Sequence, residues 1–188
     1  QRSAAGCPIL DHLGAKSESE QLAVILTGLG SLSYGELAGE RMKLGVLLHD
    51  TEEEQDCFSD DTHNSHLNDQ IGMMGIWNGE FKGDKPVTLA SIADLARAKT
   101  PEAAKRVDDA MAATLAKMHA ITAKVEGGMA YDQMLAAGNE EGNTAILEAV
   151  DALVAQTRAI EGVVAALGLK IKVEGSDSLD KAEAVGGR

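Results

Sequence analysis

Apolar residues recur at steps of three and four along two long stretches in the second half of the chain. The first stretch follows Thr100-Pro101, a helix cap and a first-turn proline, and the second stops at Gly168, a typical C-terminal cap. The two seams consist of Ala104, Val107, Met111, Thr114, Met118, Ile121 and Val125, and of Ile146, Val150, Leu153, Thr157, Ile160, Val164 and Leu167. Helices of bundles bury narrow seams of this kind. The pattern therefore predicts an all-α fold, an antiparallel helical bundle.

A third apolar stretch, residues 18–49, has helical spacing but is interrupted by glycines. These are Gly28, Gly30, Gly35, Gly39 and Gly45. Each costs about 0.5–1 kcal/mol relative to alanine inside a helix, so intrinsic helicity does not build this segment. Gly35 and Gly39 are one turn apart, which lets another backbone or a ligand approach that face. A break of the helix near Gly28 and Gly30 is the alternative interpretation.

The remaining segments are shorter. We expect an acidic loop over residues 49–61, a helix from about Asp61 to Trp77, and turns in NGEFKGDKP. A short helix capped by Thr88 is predicted over residues 89–98. The predicted organisation is a leader loop over 1–17, a helical bundle domain over 18–169 and a C-terminal tail over 170–188.

Composition and charge narrow the function classes. The chain has 188 residues, of which 44% are hydrophobic and only 3% aromatic, and this suits closely packed helices better than a sheet. Seventeen basic and thirty acidic residues give a net charge of −13. Nucleic acid and anionic lipid both need a basic surface, so neither is an expected partner. Attraction of cations is compatible with this charge.

The start of the chain and its cysteines bear on processing and on the redox compartment. No stretch approaches eighteen uninterrupted apolar residues, so no membrane span is predicted. The chain opens at Gln1 without an initiator methionine or a signal sequence, which suggests a mature or trimmed piece of a longer protein. Cys7 and Cys57 would close one disulfide in an oxidising compartment, and two free thiols are the alternative.

The richest polar stretch is CFSDDTHNSH, residues 57–66. His63 and His66 are three apart, so on a helix they share a face and could grip one ion, with Asp60 just upstream. Such sets suit iron, zinc or manganese. A polar helix start, in which Ser59 or the aspartates cap free amides, explains the same residues without a metal.

A second candidate is the charged pair Glu40-Arg41, which lies within an apolar segment. Arg41 could clamp a carboxylate or phosphate, and an ordinary ion pair is the equal alternative. No HExxH, GxSxG, Walker glycine loop or CxxC motif occurs, so the residues alone name no reaction.

Three stretches of the sequence closely resemble the imelysin-like family. They are LTGLGSLSYGELAGERMKLGVLLHDTEEEQDCFSDDTHNSH, DQMLAAGNEEGN and VAQTRAIEGVVAALGL. The most specific marks are GERM at residues 39–42 and CFSDDTH at residues 57–63. The similarity extends over nearly the whole chain, but it corresponds to the C-terminal half of a family member.

The resemblance implies the second half of a two-bundle protein, with a functional site between the halves. The family's GxHxxE motif belongs to the N-terminal half and does not occur here. The surface carried over consists of Glu40, Arg41, Ser59, Asp60 and His63. We therefore expect a helix that contains His63 and His66 to start close to Glu40 and Arg41.

The family includes iron-regulated bacterial envelope proteins and proteins catalogued as peptidases. The resemblance therefore implies a periplasmic protein associated with iron uptake. It would bind a metal, such as iron or another divalent ion, or a metal-bearing ligand, together with an N-terminal half. An imelysin-type metallopeptidase and a non-catalytic scaffold of an envelope complex are the alternatives. Whether the chain is an enzyme stays open.

Overall fold

Helices dominate the part of the chain that the computed structural model describes, residues 8–83 and 85–186. The α-helices are α1 (Pro8–Gly14), α2 (Glu18–Ser31), α3 (Leu44–Leu48), α4 (Thr62–Asn78), α5 (Ile92–Lys99), α6 (Pro101–Glu126), α7 (Tyr131–Leu135), α8 (Glu140–Ala166), α9 (Asp177–Asp180) and α10 (Ala182–Val185). A π-helix, Leu32–Lys43, joins α2 to α3. Two short strands, β1 (Glu80–Phe81) and β2 (Val87–Thr88), pair antiparallel.

The two long amphipathic helices α6 and α8 pack side by side in opposite directions. Lys124 pairs with Glu141 at 2.5 Å, and Lys117 pairs with Glu148 at 2.8 Å. The residue numbers therefore increase along α8 while they decrease along the facing part of α6, as in an antiparallel pair. The π-helix packs against α8, and α4 packs against α6. The prediction of an all-α helical bundle is therefore confirmed.

The core reflects the composition of the chain. Alanine, leucine and methionine side chains fill it, and Trp77 and Tyr131 are its large aromatic members. Small side chains let helices approach closely, and flexible methionines fill irregular gaps. A fold with few aromatics thus reaches native packing through close helix contact.

The glycine-interrupted segment is one continuous helical run, Glu18–Leu48, without a break at Gly28 and Gly30. Ser17 begins it with a capping box, in which Glu20 is the reciprocal partner. The winding widens to a π-helix from Leu32 onward. Such long π-helices are rare, and single π-turns are frequent at functional sites.

The C-terminal tail lies over the π-helix at the two glycines that the sequence singled out. A Cβ at Gly35 would lie 3.0 Å from the carbonyl oxygen of Glu174, and a Cβ at Gly39 would overlap the side chain of Ser176. The expected close approach of another backbone is therefore made by residues 174–176 of the same chain.

Some local predictions differ from the structure. The helix expected after NGEFKGDKP begins at Ile92 and is capped by Ser91, whose hydroxyl accepts from the Asp94 amide at 2.9 Å. Thr88, the predicted cap, instead pairs with Glu80 in the hairpin. A two-residue strand is too short to leave an alternating pattern, which explains the error. The segment predicted as a leader loop contains α1, and the tail contains α9 and α10.

The run Glu18–Leu48 is also long and apolar enough to cross a membrane by length and composition alone. A helix in the core of a protein meets the same criteria. Leu26, Leu37 and Met42 of this run are fully buried inside the bundle. The burial of these residues shows that the run acts as a core helix in this fold.

Substituting Gly39 by alanine should destabilise the fold by about 1–3 kcal/mol, because the added methyl group overpacks the contact with Ser176. Gly28 is the matched control, since it is exposed in α2 and a Cβ there meets nothing within 4 Å. Alanine at Gly28 should stabilise by about 0.5–1 kcal/mol. Denaturant unfolding measures both changes, and a shift of equal sign in the two variants would contradict the tail contact.

Candidate functional site

The end of the π-helix, which carries GERM, and the first turns of α4, which begin within CFSDDTH, lie within electrostatic range of each other. The charge of Arg41 acts on two side chains of α4: it contributes to lowering the pKa of His66, and it opposes the upward effect of burial on the pKa of Asp69. His63 acts on His66 as well. Arg41 and His63 therefore both lie within electrostatic range of His66.

Glu40 and Arg41 face different neighbours although they are adjacent in sequence. The Glu40 carboxylate accepts a hydrogen bond from the Ser176 hydroxyl at 2.6 Å and so holds the tail. Arg41 pairs with Glu36 at 3.4 Å, and both side chains are about half exposed. An exposed pair of this kind contributes at most about 1 kcal/mol, which leaves the guanidinium free to interact elsewhere.

The start of α4 is fastened by the loop before it and not by a capping carboxylate. Asp61 occupies the cap position, but its carboxylate accepts from the side-chain amide of Asn64 at 2.7 Å and caps no backbone amide. Asp60 is exposed in a left-handed conformation with φ of 55°. Ser59 is exposed too, and its hydroxyl donates to the Asp56 carbonyl at 3.3 Å. The expected helix start is thus correct in position, without the expected side-chain cap.

Asp56 ties this loop to α4. Its backbone amide donates to the hydroxyl of buried Thr62 at 3.0 Å, and its carboxylate accepts from the Ser65 hydroxyl. These two bonds anchor the loop to the first turn of α4. Asp56 is therefore a structural carboxylate.

His66 lies fully buried with its ring edge-on to Tyr131, at 5.2 Å between ring centroids and 80° between planes. Neither ring nitrogen has a hydrogen-bond partner in the described structure. Burial is the main reason why the pKa of His66 falls to about 3. The charges of Arg41 and His63 lower this pKa further, and the charge of Asp56 raises it. His66 is consequently a neutral imidazole at physiological pH.

Tyr131 and Glu54 continue the same group of buried polar atoms. The Tyr131 hydroxyl is fully buried and without a partner in the described structure, and burial raises its pKa, helped by the charge of Glu54. Burial also raises the pKa of Glu54, although its contact with the Thr62 hydroxyl acts in the opposite direction. We call Glu54, His63, His66 and Tyr131 the polar cluster, because each has a buried polar atom without a partner.

The three residues predicted as metal ligands do not converge. His66 is buried against Tyr131, His63 is half-buried, and Asp60 is exposed. Within residues 8–83 and 85–186 there is no group of three or more His, Cys, Asp or Glu side chains that could hold a metal ion. Asp60, His63 and His66 thus do not make a complete metal centre by themselves.

Sequence reasoning missed Tyr131 and the inward role of Glu54. Glu54 belongs to the stretch 49–61, which the sequence predicts as an acidic loop, and Tyr131 belongs to no motif. Of the two cysteines, Cys57 is exposed and Cys7 lies outside the described residues. Only the contact between α7 and the loop, a tertiary feature, reveals the polar cluster.

Comparison with known proteins identifies one family. A family model described as Peptidase_M75, Imelysin, matches residues 4–160, which is most of the chain. No curated protein matches the sequence significantly.

Buried His66 should make the fold sensitive to acid. In the unfolded chain His66 has the ordinary pKa of 6.5, whereas in the folded chain its pKa is about 3. The unfolded state therefore binds the proton first, and stability falls as the pH drops from about 6.5 towards 3. A difference of one bound proton between the unfolded and the folded state changes the free energy of unfolding by about 1.4 kcal/mol per pH unit. Urea unfolding of the wild type and of His66→Leu at several pH values measures this slope.

The variant His66→Leu should lose that slope, while His119→Leu, which removes an exposed imidazole, should keep it. The raised pKa of Glu54 acts with the opposite sign, because protonating a buried carboxylate favours the folded state. Only the difference between the two histidine variants therefore isolates His66. Identical pH profiles for both variants would contradict the buried neutral imidazole.

Proposed function

Since this chain belongs to the imelysin family, we propose that it binds a metal ion or a metal-bearing ligand beside the first turn of α4. The observation that supports this most is that the charges of Arg41 and His63 both act on buried His66, so that the GERM and CFSDDTH motifs lie within electrostatic range of each other. Unpartnered buried polar atoms at the same place add to it, because native proteins hold few of them and each calls for an explanation.

His63 and Asp60 are the ligands we assign to this chain. Asp60 is exposed, and His63 is half-buried with an unpartnered ring nitrogen, Nδ1. His66 lies behind them against Tyr131 and serves as a packing partner. A structural zinc site takes four protein ligands and a catalytic one takes three. We therefore propose that the remaining ligands come from the bound molecule or from a second helical half that faces this surface.

Glu40, Arg41 and Ser59 belong to the same proposed interface. Arg41 has half of its side chain exposed and could receive a carboxylate or phosphate of a ligand or of the facing half. Glu40 acts indirectly, because its carboxylate holds Ser176 of the tail. The net charge of −13 favours the approach of cations.

The family resemblance motivates the cellular role that we assign to this binding. We propose a bacterial protein of the periplasm or cell envelope that takes part in iron acquisition. The metal would be iron or another divalent ion. An N-terminal half of the same protein is the proposed partner.

A metallopeptidase is the second candidate, and the description of the matching family favours it. Hydrolysis needs a metal-activated water and a base held in one cleft. The part of the chain that the structure describes contains no three-ligand group to hold such a metal. Peptide cleavage by the highly purified complete protein, lost both with chelator and with His63→Ala, would establish this activity.

Titration calorimetry with ferric, ferrous and zinc ions on the complete protein tests the proposed binding. We expect His63→Ala to weaken binding of the preferred ion by at least about tenfold, since a ligand to the ion is lost. His119→Ala, at an exposed site on α6, is the matched control and should bind like the wild type. No binding, or binding unchanged by His63→Ala, would leave a non-catalytic scaffold as the function.

A further inference from the structure

The wide winding of the π-helix brings residues that are five apart in sequence onto the same face. Its backbone hydrogen bonds join residues five apart, and the amide of Leu44 accordingly donates to the Gly39 carbonyl. Arg41 pairs with Glu36, five residues before it, at 3.4 Å. In an α-helix two such residues would point about 140° apart, because each residue turns the chain by about 100°. The direction of the Arg41 side chain therefore depends on the π winding.

The face beside this ion pair is covered by the C-terminal tail and shows the same spacing. Gly35 and Glu40, five residues apart, both face the tail. A Cβ at Gly35 would lie 3.0 Å from the carbonyl oxygen of Glu174. The Glu40 carboxylate accepts from the Ser176 hydroxyl at 2.6 Å. An α winding would turn one of these two positions away from the tail. The tail contacts and the ion pair of Arg41 therefore need the same winding.

The tail is fastened by further hydrogen bonds on both sides of these contacts. The Glu174 amide donates to the Ser31 hydroxyl at 3.0 Å. The Tyr34 hydroxyl donates to Oδ1 of Asp180 at 2.6 Å, and Oδ2 of Asp180 accepts from the Ser176 amide at 3.1 Å. Asp180 is exposed, so these bonds lie at the surface. Segments held in this way open at a lower free energy than the core does.

We propose that residues 173–180 form a strap that positions Arg41 for ligand binding. A closed strap requires the π winding at Gly35 and Glu40, and the same winding directs Arg41. The strap acts on the ligand only through Arg41. The ligand is the one proposed above, whose carboxylate or phosphate Arg41 receives, so this role rests on the proposed function. Ligand binding and closing of the strap then favour each other by the same factor, because coupling between two sites is reciprocal.

Asp180→Ala in the full chain loosens the strap without touching the core. The side chain is exposed, and its carboxylate accepts two of the hydrogen bonds that hold the strap. The matched control is Asp177→Ala, which removes the same charge from the same short helix, α9. Asp177 is exposed as well, and its carboxylate pairs with Lys181 of the tail at 2.9 Å.

The first measurement needs no ligand. Burial raises the pKa of Asp69, and the charge of Arg41 opposes this effect. Asp180→Ala should let the guanidinium of Arg41 turn away and so raise the pKa of Asp69 above its wild-type value, measured by NMR titration of the carboxyl group. Loss of a negative charge alone would lower that pKa, and Asp177→Ala measures this contribution. A pKa of Asp69 that does not rise in Asp180→Ala relative to the control would overturn the proposal.

The second measurement is titration calorimetry with ferric citrate, a probe that carries both a metal ion and carboxylates. We expect Asp180→Ala to weaken binding by about fivefold or more and Asp177→Ala to change it less than about twofold. Equal binding by Asp180→Ala and the wild type would overturn the coupling of the strap to the ligand. No binding by the wild type would instead contradict the proposed function, and the pKa of Asp69 alone would then decide whether the strap positions Arg41.

Discussion

A buried chain of amide and hydroxyl hydrogen bonds fixes how the four main helical segments meet. The side-chain amide of Gln70 donates to the Met111 carbonyl at 3.2 Å and to the side-chain oxygen of Gln156 at 2.8 Å. Gln156 in turn donates to the Ser33 hydroxyl at 3.1 Å, and Ser33 donates to the Leu153 carbonyl at 3.0 Å. This series of hydrogen bonds joins α6, α4, α8 and the π-helix.

Removing one member of the series would leave buried partners unsatisfied, at a cost of about 1–3 kcal/mol each. Apolar seams alone tolerate sliding of one helix along another, whereas directional bonds permit a single register. His66 lies one turn before Gln70 in α4, so the register set by the amides also determines what His66 meets.

The parts of the fold that follow from local pattern could be predicted from sequence. The seams of α6 and α8 are long and regular, so their burial and antiparallel packing follow from helix periodicity. The π-helix could not be predicted, because its sequence carries the same apolar spacing as an α-helix. Contacts of Gly35 and Gly39 with the tail accompany the wider winding, and tertiary contacts of this kind leave no mark on local periodicity. The hairpin was missed because each strand has only two residues.

The candidate site shows the same division between local and tertiary information. Two histidines three residues apart on a helix differ in direction by about 60°, because each residue turns the chain by about 100°. That difference is enough to bury His66 fully while His63 stays half-buried. Sequence spacing therefore identified a shared face but could not tell that one imidazole points into the core. Family resemblance predicted a position for Arg41 near the start of α4. Neither approach could identify Tyr131, whose position depends on how α7 packs beneath the acidic loop.

The two charged residues of GERM lie side by side on the π-helix but have different partners. Glu40 accepts from Ser176 and fastens the tail, while Arg41 extends its charge towards His66 and Asp69. A twelve-residue π-helix has poorer backbone geometry than an α-helix, and its two glycines lower helix propensity further. Such a segment persists only where the surrounding structure over-determines it. The tail on one side and α8 on the other supply that constraint, since both pack directly against it. The tail is therefore a structural part of the region around Arg41, although it lies more than a hundred residues away in sequence.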